Sequence, residues 1–411
     1  MHIQGAAGLD DRHHRQIAGD AAPAATSSPK ILLYSHDTFG LGNIRRSLVI
    51  GELLSTVYAR AATLLVTGSP MIQSFPLPPR MDYVKLPCVN RVRAEEYEPR
   101  FLHDCAAEVR QTRSSIIEQT ALAFRPDLVI VDKRAGGIDG ELVPALEALL
   151  GLPDPPRVVL GIRDILDAPA VTSAALRGNG SFTLIDRFYD EIWIYGARAV
   201  FDAVAEYGFP ASVARKSRYV GYLRRRPVRR PPLVGNPRVL VTTGSGEDGE
   251  GVVRTFLAGV ASLPIGTLRS TIVLGPSCGA EAARRLRRLA GSRSDIEIID
   301  FEPDLTRRYE QASAVVAMAG YNTVCELLTA GIPAVLVPRA EPVQEQLIRA
   351  RRLAGRGHVR MVEPAALTPE HLMSALREAL AAPPPAMDAI DMDGLSRIRS
   401  RVQSLLAGRI A

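Results

Sequence analysis

The chain is organised around Ala314-Val-Val-Ala-Met-Ala-Gly-Tyr-Asn-Thr-Val-Cys-Glu-Leu-Leu-Thr-Ala-Gly-Ile-Pro-Ala-Val-Leu-Val-Pro-Arg339. Residues 315–318 are a short apolar run, the composition of a strand buried on both faces. A small-residue turn, Ala319-Gly320-Tyr321-Asn322-Thr323, leads into a helix running to Ala330. Gly331 then stands as a C-cap, and Pro333 lies where a helix cannot continue. Residues 332–337 form a second buried strand, closed by Pro338. In such a strand, Gly turn, helix, strand unit the helix N-terminus opens at the carboxyl edge of the sheet. Its free N–H groups and positive dipole end suit an anionic ligand.

Glu326 faces the same edge as Gly320 and Thr323. A carboxylate there can accept two hydrogen bonds from a vicinal diol such as a ribose; the alternative is a solvent-facing helix glutamate. Glu345-Gln346 is a polar pair where the second strand ends, at the same edge. It suits sugar hydroxyls, or else is an ordinary helix N-terminus with an acid in its first turn.

Upstream, residues 237–242 read as a strand followed by Thr243-Gly244-Ser245-Gly246-Glu247-Asp248-Gly249-Glu250-Gly251 and a helix from Val252. Backbone N–H groups on a flexible Gly turn, with the Ser245 hydroxyl, suit a diphosphate. The acids of the same loop confine that role to residues 243–246. Residues 270–274 and 296–299 are further strands. The run Arg284-Arg285-Leu286-Arg287-Arg288 belongs to a solvated helix face. Helical patterns cover residues 369–381 and 394–407.

The first half starts with a strand at residues 31–34. It ends in Ser35-His36-Asp37-Thr38-Phe39-Gly40-Leu41-Gly42-Asn43, and a helix opens at Ile44. A dinucleotide site would want a third Gly and an acid after the second strand. Arg45 holds the third Gly position, and the second strand (62–67) ends in Thr67-Gly68-Ser69, so that reading weakens. Residues 128–132 are a buried strand ending in Asp132-Lys133-Arg134-Ala135-Gly136-Gly137. Asp132 is a candidate base or an orienter of Arg134, with capping of the Gly turn as the plainer role. His36, at a strand's carboxyl end, is a candidate base or a structural histidine. Strands follow at 158–162, 191–195, where Trp193 belongs to the core, and 218–222.

The Pro/Arg-rich segment 223–236 has a linker's composition and separates domains at 30–222 and 237–385; residues 1–29 read as a disordered leader and 386–411 as a C-terminal helix packing back on the first domain. With 411 residues, 46% hydrophobic and 23% charged, the chain is long enough for two cores of globular type. The net charge is +6, and Lys30, Lys85, Lys133 and Lys216 are the only lysines. The arginines suit acidic substrates or an anionic membrane face and equally reflect GC-rich coding. No apolar run reaches the ~18 residues of a spanning helix. Cys88, Cys105, Cys278 and Cys325 have no metal spacing, which points to reduced thiols in a cytoplasm.

The central segment resembles the donor-binding half of the MurG-like glycosyltransferases, the GT-B enzymes of the family-28 type. The resemblance is carried by Ala319-Gly320-Tyr321-Asn322-Thr323-Val324-Cys325-Glu326, by Gly331-Ile332-Pro333, and by Glu345-Gln346 with Arg349-Ala350. It implies an α/β fold of two Rossmann-like parallel-sheet domains facing across a cleft. It further implies a nucleotide-diphosphate sugar held by Gly244, Ser245, Gly246, Phe301, Gly320, Thr323, Glu326, Glu345 and Gln346, with the loop around Phe301 reading the base.

The loop Gly40, Gly42, Asn43 would then receive a hydroxyl acceptor, lipid-linked, polysaccharide or small molecule. Reaction would be by inversion, without a metal cofactor, no Asp-x-Asp following a strand. A UDP-sugar is the favoured donor; no nucleic acid is implied, and peripheral contact with an anionic membrane fits the charge. One departure stands out: Asn43 occupies the position where the family usually has His. Asn orients a hydroxyl but takes no proton near neutrality. The base would then be Asp37 or Asp132, the favoured candidates, with Asn43 orienting the acceptor hydroxyl, or else His36. A GT-B sugar epimerase and a nucleotide-sugar-binding partner without chemistry are the alternatives.

Overall fold

The computed structural model describes residues 28–36, 42–93, 96–224, 235–383 and 390–408. Asp37 and Gly40, most of the leader and residues 225–234 of the linker lie outside the described residues.

Among the described residues, the first half has nine strands: β1 (Lys30–Ser35), β2 (Ala62–Thr67), β3 (Met81–Lys85), β4 (Val89–Arg93), β5 (Glu96–Pro99), β6 (Leu128–Asp132), β7 (Arg157–Arg163), β8 (Glu191–Tyr195) and β9 (Ser217–Tyr219). Seven of them form a parallel sheet of order β3-β2-β1-β6-β7-β8-β9, while β4 and β5 pair as an antiparallel hairpin. β6 (Leu-Val-Ile-Val-Asp) and β8 (Glu-Ile-Trp-Ile-Tyr) are buried along their whole length. Helices cover both faces of a parallel sheet, so its central strands lose the apolar/polar alternation of a half-exposed strand. The last strand stops at Tyr219, short of the expected 222, because the chain there turns to pair Leu223 with Asp393.

The second half builds a parallel sheet from β10 (Arg238–Thr242), β11 (Arg269–Val273), β12 (Ile296–Ile299), β13 (Ala314–Ala317), β14 (Ala334–Leu336) and β15 (Arg360–Met361), ordered β12-β11-β10-β13-β14-β15. In both sheets the order reverses beside the first strand. Ser35 pairs with Asp132 where β1 meets β6, and Thr242 pairs with Ala317 where β10 meets β13. Crevices form at such switch points, outside the carboxyl ends of the strands.

A contiguous apolar cluster joins the halves, running from Ile31, Trp193 and Tyr222 through Tyr321 to Leu240 and Leu328. The helix Gly394–Leu406 returns to the first half. It buries Ile398, Val402 and Leu406 in that cluster, each worth roughly 1.5–3 kcal/mol, and Arg401 pairs with Glu191. Among the described residues, no helix is long and apolar enough to cross a membrane.

Candidate functional site

The two switch points face each other, and each contributes one wall. On the second-half wall, Gly320 caps the helix Tyr321–Ala330, whose first-turn Thr323 is buried. Glu326 follows on the same helix and is only 7% exposed, so the solvent-facing alternative does not hold. Tyr309, from the helix Thr306–Gln311, donates to Glu326 Oε2 at 3.1 Å.

Glu345 and Gln346 lie in the first turn of the helix Glu345–Ala354, not at a strand's end. After β14 the chain passes through residues 337–344 before that helix opens, which places the acid near the positive end of its dipole. Gln346 Oε1 accepts from the Ala319 and Arg339 backbone N–H groups at 3.1 and 3.4 Å, tying this helix to the Gly320 turn.

The loop after β10 is braced against residues 274–278. Ser277 N–H donates to the Ser245 carbonyl at 2.7 Å, and Thr243 Oγ1 donates to the Leu274 carbonyl. Gly244 and Gly246 both take left-handed φ, +71° and +92°. They differ in surroundings. A Cβ at Gly246 would strike the Leu274 carbonyl oxygen, whereas one at Gly244 meets nothing within 4 Å. Gly246 is therefore required by loop packing itself, and Gly244 is the glycine left open to a ligand. Two acids of this loop are neutralised: Asp248 pairs with Arg339 at 2.6 Å and Glu250 with Arg285 at 3.0 Å.

On the first-half wall, Asp132 is locked in a two-pronged ion pair with Arg46, at 2.9 and 2.7 Å. Arg46 is 2% exposed, with its guanidinium 5.6 Å from the ring centroids of Tyr195 and Tyr321. The same guanidinium donates to Asn43 Oδ1 at 2.7 Å. That fixes the amide's orientation and leaves Asn43 Nδ2 to donate to His36 Nε2 at 3.4 Å. Burial, then the charges of Lys133 and Arg134, push the His36 imidazolium well below its ordinary range. The ring is thus neutral at neutral pH, with Nε2 as acceptor.

Side chains that the motifs did not single out join the walls. Arg163, at the end of β7, pairs with Glu345 at 2.5 Å. Burial alone would raise the Glu345 carboxyl, but Arg163 and then Arg349 outweigh it and hold it below the usual carboxylate range. Arg45 reaches Glu326, Asn322 Nδ2 donates to the Gly42 carbonyl at 3.0 Å, and Phe75 meets Phe301 edge-on with centroids 6.5 Å apart. Each of these cross-wall partners is far away in sequence, where no local pattern announces it.

Residues 238–400 match the glycosyltransferase family 28 C-terminal domain. A UDP-N-acetylglucosamine--N-acetylmuramyl-(pentapeptide) pyrophosphoryl-undecaprenol N-acetylglucosamine transferase of Phenylobacterium zucineum is 31% identical over 183 residues, 42% of this chain and 50% of the relative. The chain spans 23–50% of the length of three curated relatives that it matches. Solved folds match far more of it. MurG of Acinetobacter baumannii superposes with a TM-score of 0.58 at 17% identity, covering 92% of this chain and 100% of that one. A putative UDP-N-acetylglucosamine 2-epimerase of Listeria monocytogenes gives 0.58 at 13% identity, covering 93% and 97%. The two parallel-sheet domains are those of the GT-B fold.

Proposed function

We propose that this chain, whose residues 238–400 belong to the family-28 glycosyltransferase C-terminal domain on a MurG-like GT-B frame, transfers a sugar from a nucleotide-diphosphate donor to a hydroxyl acceptor. A UDP-sugar is the favoured donor, UDP-N-acetylglucosamine in particular, since the curated relatives carry that sugar in their names. The observation that carries the reading is the buried Glu326 carboxylate on the helix that opens at Gly320, joined across the interdomain crevice to Arg45 of the first half.

In this reading Glu326 accepts the ribose diol, the backbone of residues 243–246 and the Tyr321–Ala330 helix N-terminus hold the diphosphate, and Glu345 and Gln346 meet the sugar. Phe301 flanks the base. Charge that develops on the leaving diphosphate falls on helix-terminal N–H groups already aimed at it, without a metal. The acceptor hydroxyl enters from the Gly42-Asn43 side, the neutral His36 imidazole takes its proton, and attack opposite the leaving group inverts the anomeric carbon. Asp132 is disfavoured as base because both its oxygens are committed to Arg46. The relatives' names describe a lipid-linked acceptor, which would place the reaction at the cytoplasmic face of a membrane.

Replacement of Glu326 by alanine should weaken UDP binding by roughly 1.5–3 kcal/mol, the scale of a hydrogen bond to a charged group. Unchanged affinity by titration calorimetry would remove the ribose role. Gly244→Ala should weaken UDP but not uridine, because only the diphosphate approaches that backbone, and should cost the fold about 1 kcal/mol for the φ of +71°. An equal loss for both ligands would count against the loop as a diphosphate seat. A thermal-shift series across UDP-, GDP- and dTDP-sugars identifies the donor: ligand at 100 times its Kd adds ~2.7 kcal/mol. Turnover with acceptor then separates transfer from epimerisation and from binding without chemistry.

A further inference from the structure

Between the walls, the seat assigned to the ribose is already taken. Arg45 Nη2 donates to Glu326 Oε1 at 2.7 Å, with the two side chains 14% and 7% exposed. Tyr309 occupies the other carboxylate oxygen. Arg45 belongs to the helix Gly42–Val57 of the first half and Glu326 to the second, so the pair spans the crevice. Two more contacts cross beside it: Asn322 onto the Gly42 carbonyl and Arg163 onto Glu345. A vicinal diol needs both carboxylate oxygens for a two-pronged hydrogen bond. An arginine bond to a carboxylate carries charge on both partners, whereas a ribose hydroxyl finds charge on the acceptor alone.

We propose that Arg45 is an interdomain latch on the donor site, holding the Glu326 carboxylate until a nucleotide's ribose displaces it. The inference rests on the ribose reading of Glu326 given above. Donor binding then includes breaking Arg45–Glu326, and apparent affinity falls by the fraction of molecules unlatched. Arg45 is a positioning residue here: it sets how available Glu326 is and touches no reacting atom. Its sequence position is the one a dinucleotide fold would give to a third glycine, so its long side chain reaches across space that a glycine would leave open.

The experiment is titration calorimetry with UDP on the full chain and on R45A, R45Q, E326A and the double variant R45A/E326A. R45A and R45Q should bind UDP about three- to tenfold more tightly than the natural chain, a gain of affinity that general damage to the fold does not produce. E326A should bind more weakly, and adding R45A to it should recover nothing, because the latch acts only through that carboxylate. If E326A weakens UDP while R45A and R45Q bind it equally or less well, the latch is wrong and the ribose reading stands. If E326A binds UDP as the natural chain does, the ribose reading falls and the latch with it.

Discussion

Replacing His36 by alanine is expected to lower turnover by about 10²–10⁴-fold, the usual loss when a general base is removed. The Kd for UDP should not change, since His36 stands on the wall opposite Glu326. Geometry favours this imidazole over Asp132, whose two oxygens are held in a bidentate ion pair with Arg46. Asn43 donates to Nε2 at a long 3.4 Å, so an acceptor hydroxyl has to displace this amide to reach the imidazole lone pair.

The pH dependence carries its own test. Because burial and the Lys133 and Arg134 charges depress the folded His36, the ring stays a base below its ordinary ~6.5. Activity should persist at pH 6 and fail only as pH drops through the lowered folded value. Unfolding restores an ordinary imidazole, so in acid the unfolded chain binds the extra proton. The stability contributed by neutral His36 is complete above about 6.5 and is lost as pH falls through the folded pKa. His36→Ala should therefore flatten the acid side of the stability profile as well as lower turnover. Near-full turnover of that variant, measured as UDP released at saturating donor with acceptor present, would pass the role to Asp37.

Much of this site was legible because its motifs are local. Ala319-Gly320 followed by a helix that ends at Gly331, and Gly244-Ser245-Gly246 after an apolar strand, announce sheet edges within a dozen residues of chain. The strands themselves were legible because parallel strands buried on both faces read as continuous apolar runs, as β6 and β13 do. What escaped is non-local or short. β3 mixes Asp82 and Lys85 into an edge strand, β15 spans only Arg360–Met361, and the β4–β5 hairpin is only half buried where it is described. The ion pairs Arg45–Glu326 and Arg46–Asp132 join residues 281 and 86 positions apart. Composition gave many arginines and no way to tell a solvated one from one with 2% exposure. The Glu345-Gln346 pair was read by its chemistry at the right edge, but its helix is set by the chain leaving β14, which apolar periodicity does not reveal.

Arg349 is the clearest case of a residue whose motif was visible and whose physical task was not. Its guanidinium is fully buried, 5.6 Å from the Tyr321 ring centroid. It donates to the Ala319 carbonyl at 3.1 Å in its own domain and to the Ile165 carbonyl at 3.3 Å in the other. Asp164 lies 3.7 Å away and also accepts from the Tyr222 hydroxyl. Burial raises the Asp164 carboxyl above its ordinary value even with Arg349 beside it, so the cluster is desolvated on both sides of the interface. Removing one partner of such a pair leaves an uncompensated buried charge, a loss of about 3–5 kcal/mol. Arg349→Met keeps the apolar stem and deletes the charge; it should therefore lower Tm by roughly 6–20 °C, at about 2–4 °C per kcal/mol for domains of this size. Asp164→Asn in the same chain should return part of the loss, because the residual charge is then gone. A Tm within about 3 °C of the natural chain, less than ~1.5 kcal/mol, would mean that Arg349 adds little to an interface held by the apolar cluster around Tyr321 and the other cross-wall pairs. Since Arg349 also grips the carbonyl of Ala319, next to the Gly320 turn, the variant should bind UDP more weakly even at temperatures where it is fully folded.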